Sequence, residues 1–235
     1  MKKLVVLTGS GISSESGIRT FREMGGLWEE YNVEDVASPQ AWQKDMELVL
    51  RFYNERRKQL LAANPNPGHY GITALEDYFD VQIITQNVDD LHERADSHKV
   101  LHLHGELRKA RSTKDPGLIY DIDGWELKAG DKCEKGSQLR PHIVWFGEPV
   151  PEMEHAIQLT READIFVIIG TSLVVYPAAG LLDFVPGQVP VYLIDPNDVL
   201  VPRYREIECI KEKASTGVLK LTKILLEKYG NREQE

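Results

Sequence analysis

Residues 4–14 read LVVLTGSGISS, and this stretch sets the fold class. Its first four residues form an apolar run that predicts a buried strand. Gly9 and Gly11 predict a tight turn around Ser10, and a helix is expected from Ile12 onward. Because glycines allow close backbone approach and helix N-terminal amides attract anions, this order of strand, turn and helix is typical of phosphate binding.

Further apolar segments alternate with stretches of helical spacing along the chain. This alternation predicts a parallel α/β sheet of the Rossmann-like type. The expected strands are Leu4–Leu7, Val81–Thr85, Val100–Leu103, Ile165–Ile169 and Val189–Ile194, and the expected long helices are Pro39–Ala63 and Thr216–Tyr229.

The composition is that of a soluble globular protein. The 235 residues are 42% hydrophobic, the net charge is −9 and the mean hydropathy is −0.35. No stretch approaches the roughly 18 apolar residues that a membrane span needs, and an acidic surface argues against nucleic acid as the partner. The basic start at Lys2 and Lys3 resembles that of a signal peptide. Because the apolar run already ends at Leu7, we expect a cytoplasmic protein, with no membrane partner.

Two segments interrupt the alternation of strands and helices. Residues 108–141 are polar and turn-rich, which predicts a small helical and loop module inserted into the main domain. Residues 37–68 predict an inserted helical segment, entered through an N-cap at Ser38 and proline at the first helical position. The Rossmann-like domain is then expected over 1–36, 69–107 and 142–235, with a mobile cofactor loop at 19–36.

The glycine turn carries only part of the dinucleotide-binding fingerprint. A G-x-G-x-x-G match needs glycine at position 14, where this chain has Ser14. On these residues alone, nucleotide binding and a plain tight turn both stay open. Serine hydroxyls in the first helical turn and the cations of Arg19 and Arg22 favour a bound pyrophosphate.

Polar side chains also follow the strand predicted at 81–85. Gln86, Asn87 and Asp89 come directly after it, and ligands of open α/β sheets bind at the carboxyl ends of strands. Such side chains can hydrogen-bond ribose, an amide or an ordered water. They can equally form an Asx-type turn or a helix cap, and this alternative stays open.

Two histidines share one face of the short third strand. His102 and His104 are two residues apart, which is compatible with a metal pair or with a structural histidine. No third metal ligand stands nearby in the sequence. His104 precedes Gly105 at the end of the strand, where a neutral imidazole can accept a proton near pH 7.

Five stretches of the chain, in this order, resemble the signatures of the sirtuins, which are NAD-dependent protein deacylases. The resemblance runs from residue 4 to about residue 215. It departs at Ser10, where the family usually has alanine. The five stretches are Thr8–Arg22, Gln86–His92, His104–Leu107, Arg140–Glu148 and Gly170–Ser172.

The resemblance implies that NAD is the cofactor and that it binds between the main domain and the small module. Asp89 matches the residue that holds the nicotinamide carboxamide, and Phe21 matches the one that shields the reacting ribose. Asp195 at a strand end favours NAD over NADP, because a carboxylate repels a 2′-phosphate. The implied cofactor-binding residues are Gly9, Ser10, Gly11, Ser14, Glu15, Thr20, Phe21, Arg22, Gln86, Asn87, Asp89, Gly170, Thr171, Ser172, Asp195, Asn197 and Ala214.

The resemblance also implies a reaction course. The acyl-lysine oxygen attacks C1′ of the ribose, and nicotinamide leaves. His104 then acts as general base on a ribose hydroxyl, while Asn87 orders water and ribose. Water finally releases the lysine, and the acyl group departs on ADP-ribose. His104 and Asn87 are therefore the implied catalytic residues.

The substrate implied by the resemblance is an acylated lysine segment of a protein. The chain itself is expected to be a monomer. Tyr53 and Arg56 lie at i and i+3, so they share a helix face, which without other context would be a solvated face. The pair resembles that of class III members, which prefer succinyl and malonyl lysine, and Ala37 matches their small pocket residue. The implied substrate-binding residues are Ala37, Tyr53, Arg56, Val144, Trp145, Phe146, Gly147, Glu148, Leu173 and Val175.

The chain lacks the two cysteine pairs that hold structural zinc in most sirtuins. The matching positions are Ser112, Asp115, Lys132 and Lys135, and Cys133 stands alone one place away. Tetrahedral thiolate zinc needs four ligands, and two lysines would repel a cation. We therefore expect no zinc, and an ion pair between Asp115 and a lysine in its place.

Three other functions stay open on the sequence alone. One is a mono-ADP-ribosyltransferase built on the same NAD site. Another is a non-catalytic module that binds NAD or acyl-lysine, against which the intact His104 and Asn87 argue. The third is a hydride-transferring dehydrogenase, which would reduce its cofactor.

Overall fold

A parallel sheet of six strands forms the centre of the protein in a computed structural model that describes residues 1–19, 32–202 and 204–230. The strand order is β3-β2-β1-β7-β8-β9, and every neighbouring pair is parallel. This confirms the Rossmann-like α/β fold. In chain order the strands are β1 (Lys3–Thr8), β2 (Asp80–Thr85), β3 (Val100–His102), β4 (Gly105–Ser112), β5 (Ile119–Asp121), β6 (Leu139–Ile143), β7 (Ile165–Ile169), β8 (Val191–Ile194) and β9 (Glu208–Ile210).

The small module is built on a second, antiparallel sheet with the order β5-β4-β6. The sequence predicts only helix and loop here, and that expectation is wrong. The strand β4 reads GELRKARS, and its pairing with β6 contains a register shift between Gly105 and Ala110. Leu107 and Ala110 are buried, but half-buried charged residues separate them, so the strand has no continuous apolar run.

The helices fill both faces of the main sheet and form the wall beside the small module. The segment predicted as one helix over Pro39–Ala63 is two helices, separated at Asp45. The Asp45 carboxylate accepts a hydrogen bond from the main-chain nitrogen of Leu48 at 2.9 Å, which caps the second helix. The α-helices are α1 (Gly11–Ser14), α2 (Val33–Val36), α3 (Pro39–Lys44), α4 (Met46–Ala62), α5 (Pro67–Ala74), α6 (Leu91–Arg94), α7 (Met153–Arg161) and α8 (Ala214–Tyr229), and 3₁₀ helices cover Leu75–Asp77 and Ala178–Phe184.

Two hydrophobic clusters cover the two faces of the main sheet. On one face α5 and α8 pack over Val6, Val167 and Ile194, and on the other α7 and the 3₁₀ helix at 178–184 pack over Leu7 and Ile168. With both faces covered, the ends of the strands remain for ligands. No helix in the described part of the chain is long and apolar enough to span a membrane.

Buried Arg57 on α4 joins the helical wall to the small module. Its guanidinium donates to the carbonyl oxygens of Leu107 at 2.6 Å and Trp125 at 2.7 Å, and to the side chain of Asn54 at 2.8 Å. Asn54 in turn exchanges two 3.0 Å hydrogen bonds with the main chain of Leu127. These contacts hold α4 against the second sheet and thereby place Tyr53 and Arg56, on the same helix.

Candidate active site

The carboxyl ends of β1, β2, β7 and β8 open into a cavity of about 470 Å³ that extends to α4 and to the segment after β6. The cavity brings together most of the residues expected from the sequence, although they come from distant parts of the chain. Its walls contain Gly9, Ser10, Gly11, Gln86, Asn87, Gly170, Thr171, Ser172, Asp195 and Asn197 from the expected cofactor set, Ala37, Tyr53, Arg56, Val144, Trp145, Phe146, Gly147, Glu148 and Val175 from the expected substrate set, and His104.

Several expected residues lie elsewhere. Ser14 donates to the carbonyl oxygen of Gly11, and Glu15 accepts from the nitrogen and hydroxyl of Ser215, which ties α1 to the start of α8 beside Ala214. Leu173 packs on the core beneath β7. Thr20, Phe21, Arg22 and most of the expected cofactor loop 19–36 lie outside the described residues, and the part from Val33 to Val36 is a helical turn.

The two turns that follow β1 and β7 touch each other through glycine. The Gly11 nitrogen donates to the Gly170 carbonyl oxygen at 2.9 Å. A Cβ on Gly11 would lie 2.6 Å from the Gly170 Cα, and a Cβ on Gly9 would lie 2.7 Å from the Gly170 oxygen. Gly170 has a φ of +61°, in the left-handed region that favours glycine. The glycines therefore allow the two turns to pack at backbone distance beside the cavity.

The polar residues after β2 form one hydrogen-bonded group with α1. The Asn87 side-chain amide donates to the Ser13 hydroxyl at 3.1 Å, and that hydroxyl donates to the Asp89 carboxylate at 3.0 Å. The nitrogen of Leu91 also donates to Asp89, at 3.3 Å, so the Asx-type turn considered from the sequence is present as well. Burial raises the pKa of Asp89 to about 6 against the opposing effect of these hydrogen bonds. Asp89 and Arg56 line a second, smaller pocket beside the main cavity.

His104 is held as a neutral imidazole with one nitrogen available. Its Nδ1 lies 3.0 Å from the carbonyl oxygen of Gln86, and a carbonyl only accepts, so Nδ1 carries the proton. Burial lowers the pKa of His104, although the bond to Gln86 opposes this. Nε2 is therefore the basic atom at neutral pH, and the side chain lines the cavity.

His102 makes a different pair of contacts, which nothing in the sequence indicates. Its Nδ1 bonds the carbonyl oxygen of Asn87 at 3.1 Å, and its Nε2 bonds the Glu93 carboxylate at 2.7 Å. Burial alone would lower the pKa of His102, but Glu93 raises it above the ordinary value. His102 thus braces the loop that carries Asn87. The described residues contain no cluster of metal-ligand side chains, so the metal-pair interpretation has no support from the geometry.

Tyr53 and Arg56 are buried, which excludes the solvated-face interpretation. They are 4% and 8% exposed, and both line the cavity. Burial lowers the pKa of Arg56 to about 10 and raises the pKa of Tyr53 to about 12. At neutral pH the cavity wall therefore presents a guanidinium cation beside a neutral phenol, which suits a carboxylate ligand.

Glu148 supports the cavity wall through protein contacts. Its carboxylate accepts from Arg140 at 2.6 and 3.0 Å, from Arg111 at 3.1 Å and from the nitrogen of Trp145 at 2.8 Å. The Arg140 guanidinium lies 3.2 Å from the centroid of the Trp145 ring. Arg140 is thus a second supporting residue whose role the sequence does not indicate, although it opens the fourth sirtuin-like stretch.

The positions that match the zinc cysteines are joined by other contacts. The Lys135 ammonium lies 2.6 Å from the Asp115 carboxylate, so the expected ion pair is present. The Cys133 thiol donates to the Ser112 hydroxyl at 3.4 Å. One thiol, one hydroxyl and a carboxylate already paired with a lysine do not fit tetrahedral zinc.

Comparison with known proteins agrees with this geometry. The chain is 55% identical over 231 residues to an NAD-dependent protein deacylase of Bacteroides thetaiotaomicron, covering 96% of this chain and 99% of that protein. It is 50% identical over 229 residues to an NAD-dependent protein deacylase of Helicobacter pylori, covering 97% and 99%. A solved complex of a Sir2 homologue with NAD superposes with a TM-score of 0.87 at 39% identity, covering 97% of this chain and 90% of that one.

The sequence model of the Sir2 family matches residues 9–177, which hold all five of the sirtuin-like stretches except the first residue, Thr8. The match covers well over half of the chain and includes the glycine turns, Asn87, His104 and the cavity wall after β6. On these grounds the chain belongs to the Sir2 family.

Proposed function

We propose that this protein removes acyl groups from lysine side chains of other proteins in an NAD-dependent reaction, and that it prefers succinyl and malonyl groups over acetyl. Membership of the Sir2 family, with deacylase relatives at 50% identity and above, supports the reaction. The observation that carries the acyl preference is the buried pair of Tyr53 and Arg56 on the wall of the cavity that also contains His104.

The residues at the strand ends fit NAD. Gly11 and Gly170 carry no side chain, so the two turns meet at backbone distance beside the cavity, where a pyrophosphate would bind. The Asp195 carboxylate after β8 can accept from a ribose hydroxyl and would repel a 2′-phosphate, which favours NAD over NADP. When bound, NAD supplies the energy of its bond to nicotinamide, which activates an otherwise inert amide.

The proposed base is His104. Its Nδ1 proton is committed to the carbonyl of Gln86, so the ring presents Nε2 to the cavity as a proton acceptor. Asn87 lies on the same loop, where its amide is held by Ser13. We assign Asn87 the ordering of ribose and water, and Asp89 the amide of nicotinamide, because a buried carboxylate accepts hydrogen bonds strongly.

The acyl preference follows from charge in a buried setting. A succinyl or malonyl group ends in a carboxylate, which Arg56 can pair and Tyr53 can donate to. Small Ala37 on the same wall leaves space for the longer chain. A charge-assisted hydrogen bond of this kind contributes about 1.5–3 kcal/mol, and an acetyl group forms none.

Zinc is not part of the proposed enzyme. Among the described residues no group of three or more histidine, cysteine or acidic side chains could hold a metal ion. The Asp115–Lys135 pair and the Ser112–Cys133 contact connect the corresponding positions instead. The small module would then keep its shape through its antiparallel sheet and through Arg57.

One experiment tests the proposed function. Peptides that differ only in a succinyl, malonyl or acetyl group on one lysine are incubated with NAD, and nicotinamide and free lysine are measured. We expect kcat/KM for the succinyl peptide to exceed that for the acetyl peptide. Arg56→Met should lower the succinyl value by about tenfold or more and leave the acetyl value level or higher.

Two outcomes would contradict the proposal. If Arg56→Met lowers kcat/KM equally for the succinyl and acetyl peptides, Arg56 supports α4 and does not bind the acyl group. ADP-ribose attached to protein, in place of free acyl-ADP-ribose, would identify a mono-ADP-ribosyltransferase.

A further inference from the structure

One hydrogen bond determines how the Tyr53 hydroxyl, which lies on the cavity wall, can donate and accept. The indole Nε1 of Trp145 lies 3.0 Å from the hydroxyl oxygen of Tyr53, and both side chains are buried. An indole N–H can only donate, so the phenol oxygen is the acceptor in this contact. The phenol's own proton must then point to a different acceptor.

The structure provides no acceptor for that proton among the described residues. The bond from Trp145 is the one hydrogen bond that the Tyr53 hydroxyl makes within the described chain. Tyr53 lines the main cavity together with Arg56, which shares its helix face. A carboxylate in the cavity could accept that proton and pair with the Arg56 guanidinium at the same time.

Trp145 is itself held from several sides, which makes its N–H a fixed donor. Its main-chain nitrogen donates to Glu148 at 2.8 Å, and the guanidinium of Arg140 stacks on its ring. The ring of Trp42 lies 5.7 Å from it, centroid to centroid, at a tilt of 38°. The indole therefore cannot turn its N–H away from Tyr53 without breaking this packing.

We propose that Trp145 is a specificity-determining positioning residue, which directs the Tyr53 proton toward the carboxylate of an acidic acyl group by occupying the acceptor side of the phenol. The proposal rests on the acyl preference in the proposed function. Without the indole N–H, the hydroxyl could rotate and present a lone pair to the carboxylate, which would repel it. A phenol that already accepts one hydrogen bond is also a stronger donor of the next.

The competing role for Trp145 is a simple wall of the acyl-lysine channel. A wall acts alike on every acyl group, whereas the N–H acts only where a carboxylate meets Tyr53. Trp145→Phe keeps a flat aromatic ring under Arg140 and removes the N–H. Replacement of Trp145 by benzothienylalanine, which has sulfur in place of N–H, keeps the shape more closely.

The test is a double-mutant cycle with succinyl and acetyl peptides. It measures kcat/KM for the wild type, Trp145→Phe, Tyr53→Phe and the double variant. We expect Trp145→Phe to lower the succinyl-to-acetyl ratio about three- to tenfold, chiefly through KM. The double variant should have the same ratio as Tyr53→Phe alone, because the indole acts through the phenol. The benzothienylalanine protein should repeat the result of Trp145→Phe.

Two results would overturn the inference. If the wild type prefers the succinyl peptide and the ratio is unchanged in both Trp145 variants, Trp145 is only a wall, and the proposed function still stands. If the double variant lowers the succinyl-to-acetyl ratio by the product of the two single-variant effects, Trp145 acts independently of Tyr53, and the inference is wrong. If the wild type shows no succinyl preference and Arg56→Met changes nothing, the acyl preference itself is wrong, and the inference falls with it.

Discussion

Replacement of Asp89 by asparagine should stabilise the protein and impair its activity. The folded chain holds this carboxyl in a buried position, where its pKa is about 6, against about 3.9 for an exposed aspartate. Each unit of that difference corresponds to about 1.4 kcal/mol, so ionised Asp89 destabilises the folded state by about 3 kcal/mol. Asparagine keeps the shape without the charge.

The hydrogen bonds of Asp89 reduce the expected gain. Asparagine can still accept from the nitrogen of Leu91, but its amide meets the Ser13 hydroxyl as a donor, so that hydrogen bond must be rearranged. Such a bond contributes about 1 kcal/mol. The net increase in the free energy of unfolding is therefore about 2 kcal/mol above pH 7, which raises Tm by about 4–8 °C in a chain of this size.

The pH dependence gives the sharper test of the Asp89 argument. A carboxyl whose pKa is raised on folding stabilises the folded state below its unfolded pKa, and that stability is lost as pH rises through the folded pKa. Asp89→Asn should therefore be slightly less stable than the wild type near pH 4, where only the altered Ser13 contact counts, gain stability between about pH 4 and pH 6, and keep a constant advantage above. Urea unfolding at a series of pH values measures it, with exposed Asp123→Asn as the control.

An advantage of equal size at every pH would refute the argument, because it would not come from ionisation. A loss of stability at pH 8 would show that the Ser13 contact outweighs desolvation. Deacylation should fall about tenfold or more in the same variant if Asp89 binds the nicotinamide amide. Stability gained with activity lost is expected where a site keeps a charge buried for function.

Other changes have equally definite outcomes. His104→Ala should reduce deacylation at least a hundredfold while NAD binding, measured by calorimetry, persists; more than about a tenth of wild-type turnover would contradict the role of His104 as general base. Purified protein should contain no stoichiometric zinc by elemental analysis, and chelators should leave turnover unchanged. Gly11→Ala should destabilise the chain by about 1–3 kcal/mol, because its Cβ would meet the Gly170 backbone at 2.6 Å, whereas Gly187→Ala, with open space around it, should not.

The parallel sheet was predictable because its strands are buried on both faces. Residues 4–7 and 165–169 are continuous apolar runs, and such runs need both faces covered. The antiparallel module was not predictable in the same way. In β4 two charged residues separate buried Leu107 from Ala110, and the pairing of the strand with β6 depends on residues about thirty positions away. The edge strand β9 has only three residues, one of them buried, so it gives little signal.

The members of the site were predictable by their motifs, but their contacts were not. Trp145 and Tyr53 are 92 residues apart in sequence, and neither segment indicates that the indole meets the phenol. Glu148 was expected beside the substrate because it ends the fourth sirtuin-like stretch, yet its carboxylate is paired with two arginines. His102 and Glu93 likewise show their connection to Asn87 only in three dimensions.

Arg57 connects the small module to α4 through buried hydrogen bonds, which would hold the two together in a protein without zinc. The Asp115–Lys135 pair is exposed, and exposed pairs contribute at most about 1 kcal/mol, so it cannot replace a metal centre. Arg57 instead anchors Leu107 of β4 and Trp125 to α4, inside the protein. The positions that match the zinc cysteines of other sirtuins begin at Ser112, at the end of β4 that is farther along the chain from His104. The hydrogen bonds of His104 to Gln86 and of Asn87 to Ser13 do not involve these positions.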